Sequence, residues 1–422
     1  MITNTTNSII SADFFINERK YKLKNKPIAI LCLDGCSNEY LDASLAKNCI
    51  PNIAKMLHHG YRCTARGALP SFTNVNNASI VTGLPPSGHG ISGNFFLDPK
   101  TGKEVMMNSA HYLRASTILA SAAKIGRRVA MVTAKEKLRD ILSHDLDGIR
   151  FSAEKANMAR IDTQGIEMVE EFVGYPIPEI YSAEASLFVL RAGAALLEKN
   201  IADFVYLSTT DYIQHVYSPD TLESLEFYSH MDYEIGRIMK TGATIGITAD
   251  HGMNAKHKAD GSPNVVYLEN ILQYEFGESV RVICPITDPY VKHHGALGSL
   301  VIIHLSHPKD PKLERRIEQR LKQIEGVTEV YDHNTAVEKL ELPDDRTGQF
   351  NVMSSRNFVL GKTSKYHDLT ALDGPLRSHG GRYEEKVPLI TSKPLTPEYI
   401  IRSEKDPRNF DVFDFTINGT EQ

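Results

Sequence analysis

The chain has 422 residues, 41% of them hydrophobic and 23% charged, which is typical of a globular protein long enough to bury a sizeable core. Its formal net charge of −5 argues against a general nucleic-acid binder, because such proteins carry a basic surface, but it permits a local cationic pocket for a small anion. The sequence has no apolar run of about 20 residues, so we expect no membrane span.

The N-terminal residues and the cysteines indicate the cellular compartment of the protein. Residues 1–26 have no basic stretch followed by a long apolar run, so we expect a polar arm rather than a signal peptide, and its fold is left open. The chain has five cysteines with irregular spacing, which argues against a disulfide framework. We therefore expect a reducing, cytoplasmic location.

Buried strands alternate with helices over the first 250 residues. The apolar runs predict strands at 27–33, 128–132, 203–208 and 243–248, and helices at 51–60, 183–200 and 221–239. Nearly continuous apolar strands between helices indicate a mostly parallel sheet that is covered on both faces. The predicted fold class is therefore doubly wound α/β.

A second pattern begins after about residue 261. Short strands are predicted at 280–284, 299–304 and 328–331, with a charged helix at 311–325 between them. This pattern favours an inserted α+β unit. The predicted organisation is an N-terminal arm (1–26), a catalytic core (27–262 and 371–422) and a cap (263–370).

Polar side chains follow each of the four predicted core strands. In chain order these are Asp34, then Lys135 and Lys137, then Asp211 and His215, and then Asp250 and His251. Ligands of open α/β sheets bind beyond the carboxyl ends of the strands, so we expect these side chains on one rim. Carboxylates and imidazoles without thiolates suit Zn²⁺ or another divalent first-row metal.

A candidate nucleophile lies in the segment LPSFTNVNNASIVTG at residues 69–83. We expect a helix from near Thr73 to Gly83, and a hydroxyl at a helix N-terminus meets unpaired N–H groups that favour a phosphoryl group. His379 follows in a glycine-rich loop that can present it to the same site.

Each feature also has a purely structural explanation. Thr73 or Ser71 can simply cap the helix, and an aspartate after a strand often stabilises a turn. The two lysines can belong to a solvated basic turn with Lys124, Arg127 and Arg128. Agreement among four strand ends favours a functional site over these separate explanations.

Together, Asp34, the threonine in PSFTNVNNASIVTG, the D-x-x-x-H of Asp211 and His215, the D-H-G at 250–252 and the S-H-G-G at 378–381 resemble the alkaline phosphatase superfamily. The similarity is to its nucleotide pyrophosphatase/phosphodiesterase-like branch, and its motifs run from Asp34 to His379. The resemblance implies a sheet of alkaline phosphatase type with an inserted cap, and a threonine nucleophile.

The resemblance also implies a role for each motif residue. One metal would be held by Asp211, His215 and His379, and the other by Asp34, Asp250, His251 and the oxygen of Thr73. Two Zn²⁺ ions per chain are expected, with other divalent metals left open. Thr73 would form a phosphothreonine intermediate, and Asn94 would donate to a phosphoryl oxygen. The expected substrate-binding residues are Thr73, Asn94, Lys135, Lys137, Asp211 and His215.

The segment VTAKEKLR at 132–139 indicates the substrate. It is similar to the segment with which phosphonoacetate-hydrolysing members of the superfamily hold the substrate carboxylate between two lysines. The resemblance therefore implies hydrolysis of the carbon–phosphorus bond of phosphonoacetate to acetate and phosphate. We expect a small phosphonate as the partner and neither nucleic acid nor membrane, while the oligomeric state is left open, with a homodimer as one option.

Three alternatives remain at this point. A nucleotide pyrophosphatase/phosphodiesterase, or another phosphoester hydrolase, would use the same metals without needing Lys135. A phosphomutase related to phosphoglycerate mutase would use serine where this chain has Thr73. A binding protein that has lost its chemistry would retain the ligands without turnover. No cap residue and no proton donor for the leaving group can be assigned.

Overall fold

The computed structural model describes residues 9–288, 294–306, 310–370, 372 and 374–421. Its strands are β1 (Ala12–Ile16), β2 (Arg19–Leu23), β3 (Ile28–Cys32), β4 (Tyr61–Arg66), β5 (Phe95–Leu97), β6 (Glu104–Met106), β7 (Val129–Thr133), β8 (Ile149–Ser152), β9 (Phe204–Ser208), β10 (Thr244–Thr248), β11 (Asn254–Ala255), β12 (Val265–Tyr267), β13 (Val280–Ile283), β14 (Leu300–Leu305), β15 (Val327–Asp332), β16 (Phe350–Ser354), β17 (Val359–Gly361), β18 (Arg377–Ser378) and β19 (Lys386–Thr391).

The α-helices are α1 (Asn38–Ala46), α2 (Pro51–His59), α3 (Thr73–Thr82), α4 (Pro86–His89), α5 (Ile118–Lys124), α6 (Glu136–Leu142), α7 (Ile161–Gln164), α8 (Val169–Val173), α9 (Ala183–Glu198), α10 (Tyr212–Val216), α11 (Leu222–Lys240), α12 (Leu268–Phe276), α13 (Pro311–Leu321), α14 (His333–Lys339), α15 (Pro397–Ser403) and α16 (Val412–Ile417).

The central sheet has the strand order β4-β19-β10-β3-β9-β7-β8. Strands β10, β3, β9, β7 and β8 are parallel, while β19 runs antiparallel to both of its neighbours. Alternate residues of β3 enter two separate cores: Ala29 and Leu31 pack with α9 and α11, and Ile30 and Cys32 pack with α3 and α16. The predicted doubly wound α/β class is therefore confirmed.

The predicted polar arm contains a β-hairpin. Strands β1 and β2 pair antiparallel, and the turn residues Asn17 and Glu18 both have positive φ, as a tight two-residue hairpin turn requires. Phe14 and Tyr21 stack with ring centroids 5.1 Å apart and join the hydrophobic core beside α5 and α16. In RKYKL, the buried Tyr21 and Leu23 alternate with lysines, which is the sequence signal for a half-buried strand, whereas ADFFI shows no such alternation because Phe15 is apolar yet exposed. Residues 1–8 of the predicted arm lie outside the described residues.

A buried ion pair ties the hairpin to the sheet. The Arg127 guanidinium donates to Asp203 Oδ1 at 2.6 Å and to the Lys26 carbonyl at 2.9 Å, and its side chain has no exposed surface. Asp203 therefore compensates a cation that water cannot reach. Removing one partner of a buried pair leaves an uncompensated charge.

We expect Asp203→Ala to lower the free energy of unfolding by about 3–5 kcal/mol, as is typical when one partner of a buried pair is removed. Urea denaturation followed by circular dichroism measures this. Asp42→Ala is the matched control, because its ion pair with Arg62 leaves the carboxylate largely exposed and should contribute at most about 1 kcal/mol. Equal losses in the two variants would contradict the prediction.

The segment predicted as a cap contains a second sheet, of order β13-β14-β16-β15, in which all pairs are antiparallel. Helices α12 and α13 pack on it through a hydrophobic cluster that includes Leu272, Ile303 and Ile317. The division into arm, core and cap stays a prediction, and its boundary at residue 371 lies outside the described residues.

The structure also describes the cysteines and the helices, on which the expectations about disulfides and membrane spans depend. The five cysteines all carry free thiols. Among the described helices, none combines the length and the apolar content that a bilayer crossing requires.

Candidate metal centre and substrate pocket

The functional side chains gather because the four strands that precede them are neighbours. Strands β10, β3, β9 and β7 lie side by side and parallel, so their carboxyl ends meet at one edge. The residues that follow these ends form two clusters. The Asp211 cluster comprises Asp211, His215 and His379, and the Asp34 cluster comprises Asp34, Asp250 and His251.

The Asp211 cluster is built from the end of β9 and the loop after β18. Asp211 immediately precedes the short helix α10, and His215 Nε2 lies 2.9 Å from Asp211 Oδ2, as the four-residue spacing predicts. His379 Nε2 lies 3.6 Å from the same oxygen. One ligand atom from each residue lies within 4.8 Å of the others, and all three residues are buried.

The Asp34 cluster is built from the ends of β3 and β10. His251 Nε2 lies 3.3 Å from Asp34 Oδ1 and 3.6 Å from Asp250 Oδ2. The same Nε2 lies 3.3 Å from Thr73 Oγ1, so the candidate nucleophile borders this cluster. The rings of His251 and His379 stack at 3.5 Å between centroids, which brings the two clusters side by side.

Two glycines allow this close assembly. Gly35 follows Asp34 with φ +71°, and a Cβ there would lie 2.9 Å from Asp211 Cβ. Gly380 follows His379 with φ +121°, and a Cβ there would lie 2.3 Å from the Phe72 ring. Both positions combine a left-handed backbone with contact too close for any side chain, so both require glycine.

The three histidines share one hydrogen-bonding arrangement. Nδ1 of His215, His251 and His379 each lies 2.8–3.0 Å from a backbone carbonyl, of Arg377, Gly252 and Ser71 respectively. A carbonyl only accepts, so each Nδ1 carries the proton and each Nε2 keeps its lone pair for the cluster. Burial, with the nearby His251, also lowers the pKa of His379 well below its ordinary value, which favours the neutral form that binds metals.

The two carboxylates of the Asp34 cluster differ in their hydrogen bonding. Asp250 Oδ1 accepts from the backbone N–H of Gly35 at 3.2 Å and of His251 at 3.0 Å, and Oδ2 accepts from Asn77 at 3.4 Å. Asp34 is fully buried, and neither of its oxygens has a hydrogen-bond partner. Burial, with the Asp211 and Asp250 carboxylates, raises the pKa of Asp34 well above its ordinary value.

This arrangement fits divalent metal ions. A buried carboxylate without a donor is costly unless a cation compensates it, and here three Nε2 lone pairs face the same region. Two compact sets of one or two carboxylates with one or two imidazoles match the ligand preference of Zn²⁺ and related ions.

A lysine borders the Asp211 cluster. Lys135, directly after β7, places its Nζ 3.4 Å from Asp211 Oδ1. Burial opposes ionisation of Asp211, but the Lys135 ammonium outweighs it and holds the pKa of Asp211 well below its usual range. Reciprocally, burial disfavours the ammonium, but Asp211 and Asp34 raise the pKa of Lys135, so it is charged at neutral pH.

Thr73 is the first residue of α3, which ends at Thr82 with Gly83 in the left-handed conformation, as the sequence predicts. Its Oγ1 lies 3.3 Å from His251 Nε2, and the residue lines the pocket described below. Asn94 lines the pocket, and its Oδ1 accepts from the Asn74 backbone N–H at 3.2 Å, a bond that does not use the Asn94 Nδ2 group.

A single cavity connects these residues. Its lining includes the predicted residues Thr73, Asn94, Lys135, Lys137, Asp211, His215 and His379. Asp34, Asp250 and His251 adjoin it through Thr73, whose Oγ1 lies 3.3 Å from His251 Nε2. The structure thus brings every predicted site residue into one region.

The cavity is also lined by residues that the sequence did not reveal. Ile286, Asp288 and His294 come from the predicted cap, and Asn74 and Leu138 from the core. The Asp288 carboxylate contacts the Lys137 ammonium. Burial and the neighbouring Lys135 lower the pKa of Lys137 to about 7. The direct contact with the Asp288 carboxylate favours the ammonium form of Lys137. No motif marks Asp288, so only the three-dimensional fold identifies it.

Comparison with known proteins agrees with this geometry. The family model described as type I phosphodiesterase/nucleotide pyrophosphatase matches residues 28–380. The chain belongs to the type I phosphodiesterase/nucleotide pyrophosphatase family. Within this family, a segment of 78 residues is 40% identical to an ectonucleotide pyrophosphatase/phosphodiesterase of Caenorhabditis elegans, and one of 77 residues is 35% identical to an uncharacterized pyrophosphatase/phosphodiesterase of Schizosaccharomyces pombe. These segments are 17% and 18% of this chain, but they span only 8% and 15% of the two relatives.

Solved structures extend the similarity to nearly the whole chain. Phosphonoacetate hydrolase from Sinorhizobium meliloti, solved in complex with phosphonoacetate, is 43% identical with a TM-score of 0.90, and the match covers 97% of this chain and 99% of that one. Murine ectonucleotide pyrophosphatase/phosphodiesterase 5 is 15% identical with a TM-score of 0.60, covering 94% of this chain and 96% of that one. The murine protein shares the fold, and the bacterial enzyme shares fold and sequence.

Proposed function

We propose that this protein hydrolyses the carbon–phosphorus bond of phosphonoacetate, giving acetate and phosphate. The observation that carries the proposal is the placement of Lys135 and Lys137 in the same cavity as Thr73 and the Asp211 cluster. A substrate with a phosphonate at one end and a carboxylate at the other fits a pocket that is lined by a candidate nucleophile and two ammonium groups. The 43% identity to the phosphonoacetate hydrolase of Sinorhizobium meliloti supports this assignment.

We propose two Zn²⁺ ions as the cofactors. The Asp211 cluster would hold one ion, and the Asp34 cluster together with Thr73 Oγ1 would hold the other. When bound, such ions supply Lewis-acid stabilisation of phosphonate oxygens and lower the pKa of a nearby hydroxyl. Metal analysis of the purified protein tests both the identity and the number of ions.

The chain's own residues account for the bond changes. Thr73 Oγ1 forms a bond to phosphorus while the carbon–phosphorus bond breaks, and the electron pair moves onto the methylene carbon and into the adjacent carboxylate. Asn94, which lines the pocket, donates to a phosphoryl oxygen. The carbon takes up one proton, which balances the proton that the Thr73 hydroxyl loses, to give acetate. Water then cleaves the phosphothreonine, releasing phosphate and restoring the threonine.

The two lysines can stabilise the negative charge of the leaving group. A carbanion is a poor leaving group unless its charge spreads into the neighbouring carboxylate. Ammonium groups fixed beside that carboxylate stabilise the charge as it develops and need no reorganisation when it does. The buried position of Lys135, whose side chain is 12% exposed, strengthens the interaction because water screens it little.

We expect Lys135→Ala and Lys137→Ala each to lower kcat/KM for phosphonoacetate by about 10²–10³-fold, the usual effect of removing one donor to developing charge. Phosphate release by zinc-loaded protein, beside a chelated sample, measures this. Lys124→Ala, an exposed lysine on α5, is the matched control and should behave as wild type. Zinc content is measured in parallel, because Lys135 also contacts Asp211 of the metal cluster, whereas Lys137 contacts Asp288.

Membership of the type I phosphodiesterase family favours one second candidate, cleavage of nucleotide esters. A nucleotide ester has no carboxylate next to its phosphorus, so the two lysines would have no role. Efficient cleavage of a nitrophenyl nucleotide ester, without release of phosphate from phosphonoacetate and without loss in Lys137→Ala, would support this candidate and overturn the proposed substrate.

A small phosphonate is the proposed partner. The cytoplasmic location and the option of a homodimer stay predictions, to be checked by cell fractionation and by light scattering of the purified protein.

A further inference from the structure

A fully buried ion pair lies behind the metal clusters. Lys256 Nζ is 2.8 Å from Glu384 Oε1, and neither side chain has exposed surface. Lys256 follows β11, and Glu384 precedes β19. Neither residue lines the substrate cavity. Burying both charges is unfavourable unless their other hydrogen-bonding groups are also satisfied.

Glu384 connects the two loops that carry His251 and His379. Its Oε2 accepts from the backbone N–H of Gly381, two residues after His379, at 3.1 Å. Its backbone carbonyl accepts from Gly252, the residue after His251, at 2.7 Å. One residue therefore holds a loop from each cluster.

The other contacts of the pair reach further into the same region. Glu384 Oε1 also accepts from Asn254 Nδ2 at 2.7 Å, and Lys256 Nζ donates to the Arg356 carbonyl at 2.7 Å. Arg356 Nε in turn donates to Asn254 Oδ1 at 3.0 Å. These bonds join the loop after β10 to the loop between β16 and β17 of the predicted cap.

The hydrogen bonds also reach the segment that precedes Thr73. The Gly381 carbonyl accepts from Ser71 Oγ at 2.9 Å, and the Ser71 carbonyl accepts from His379 Nδ1 at 2.8 Å. Ser71 stands two residues before Thr73. A shift of the 379–381 loop would therefore move a cluster ligand and the segment that leads to the nucleophile.

We propose that Lys256 and Glu384 form a clamp that positions His251 and His379, and through them both metal sites; the inference rests on the metal centre of the proposed function. A buried ion pair is often no more stabilising than an uncharged pair of the same shape, so stability gives little reason for it. Its bonds to the loops that carry His251 and His379 explain its presence, because a histidine that is already fixed loses no conformational freedom when the metal binds. Residues that orient metal ligands are typically worth about 10–100-fold in metal affinity.

The test uses the full-length double variant Lys256→Met/Glu384→Gln, which removes both charges and keeps both shapes. Zinc affinity is measured by competition with a chromophoric chelator, and the visible spectrum is recorded after loading with Co²⁺. We expect affinity for at least one ion to fall by about 10–100-fold and the Co²⁺ bands to shift. Lys322→Met/Glu318→Gln removes an exposed pair on α13 and its end and should change neither.

The melting temperature of the metal-free protein separates positioning from folding. A clamp predicts weak zinc binding while the metal-free double variant melts close to the wild type. Zinc affinity within threefold of the wild type, with an unchanged Co²⁺ spectrum, would overturn the inference. If the double variant does not fold, Glu384→Gln alone, which keeps an acceptor for Gly381, is measured against the same limits.

These results do not depend on the substrate. A wild-type protein that binds zinc but releases no phosphate from phosphonoacetate would overturn the proposed substrate and leave the clamp to be decided by zinc affinity. A wild-type protein that binds no zinc would overturn both.

Discussion

Thr73→Ala is expected to abolish nearly all hydrolysis of phosphonoacetate, with a fall in kcat on the order of 10⁴-fold or more, as for other enzymes that lose their nucleophile. The hydroxyl stands at the start of α3, 3.3 Å from His251 Nε2, and lines the cavity with the two lysines. Alanine leaves no oxygen to attack phosphorus. Phosphate release under single-turnover conditions measures the loss.

Two further measurements make this result specific. Thr73→Ser retains a hydroxyl at the same position and should keep a substantial part of the activity, whereas Thr101→Ala changes an exposed threonine and should keep all of it. Acid quenching of the wild type during turnover should trap phosphate on the peptide that contains Thr73. If Thr73→Ala stays within a few-fold of the wild type, the covalent step is wrong.

The central part of the fold could be predicted because its strands carry their own signal. The apolar runs that became β3, β7, β9 and β10 are buried on both faces, so each is nearly continuous in the sequence. The edge strand β4 was missed for the opposite reason, because its sequence YRCTAR is mostly only half-buried. Strand β19 is buried inside the sheet, but it reaches its neighbours from more than 130 residues away.

Part of the candidate site could also be predicted from the sequence. Residues just beyond a strand end inherit their position from the strand, so Asp34, Asp211 and Asp250 could be placed on one rim before any distance was known. Asp288 and His294 follow no such rule, because they reach the cavity only through the packing of the predicted cap on the core. The Lys256–Glu384 pair was equally invisible, since two charged residues 128 apart in sequence carry no pattern.

Asp34 shows that a metal ligand can destabilise the folded protein when no metal is bound. In the metal-free chain its two oxygens are buried without donors, and burial together with Asp211 and Asp250 raises its pKa well above the ordinary value. A carboxyl group whose pKa is higher in the folded state stabilises that state below its unfolded pKa of about 3.9 and loses this contribution as pH rises through the folded pKa. In the metal-free protein, the contribution of Asp34 to stability should therefore fall as the pH rises above about 4.

We expect Asp34→Asn to have opposite effects on stability and function. The amide is neutral, so the metal-free variant should be about 1–3 kcal/mol more stable than the wild type at neutral pH, the scale of one buried unsatisfied polar group. Loss of a ligand should lower zinc affinity at the Asp34 cluster by more than about 10²-fold, since even residues that only support ligands are worth 10–100-fold. Thermal unfolding with and without zinc measures both effects, and the exposed Asp13→Asn serves as control. A metal-free Asp34→Asn protein less stable than the wild type would mean that Asp34 is a structural residue, whereas a more stable protein that no longer binds the second ion would mean that the unpaired carboxylate is kept for the metal.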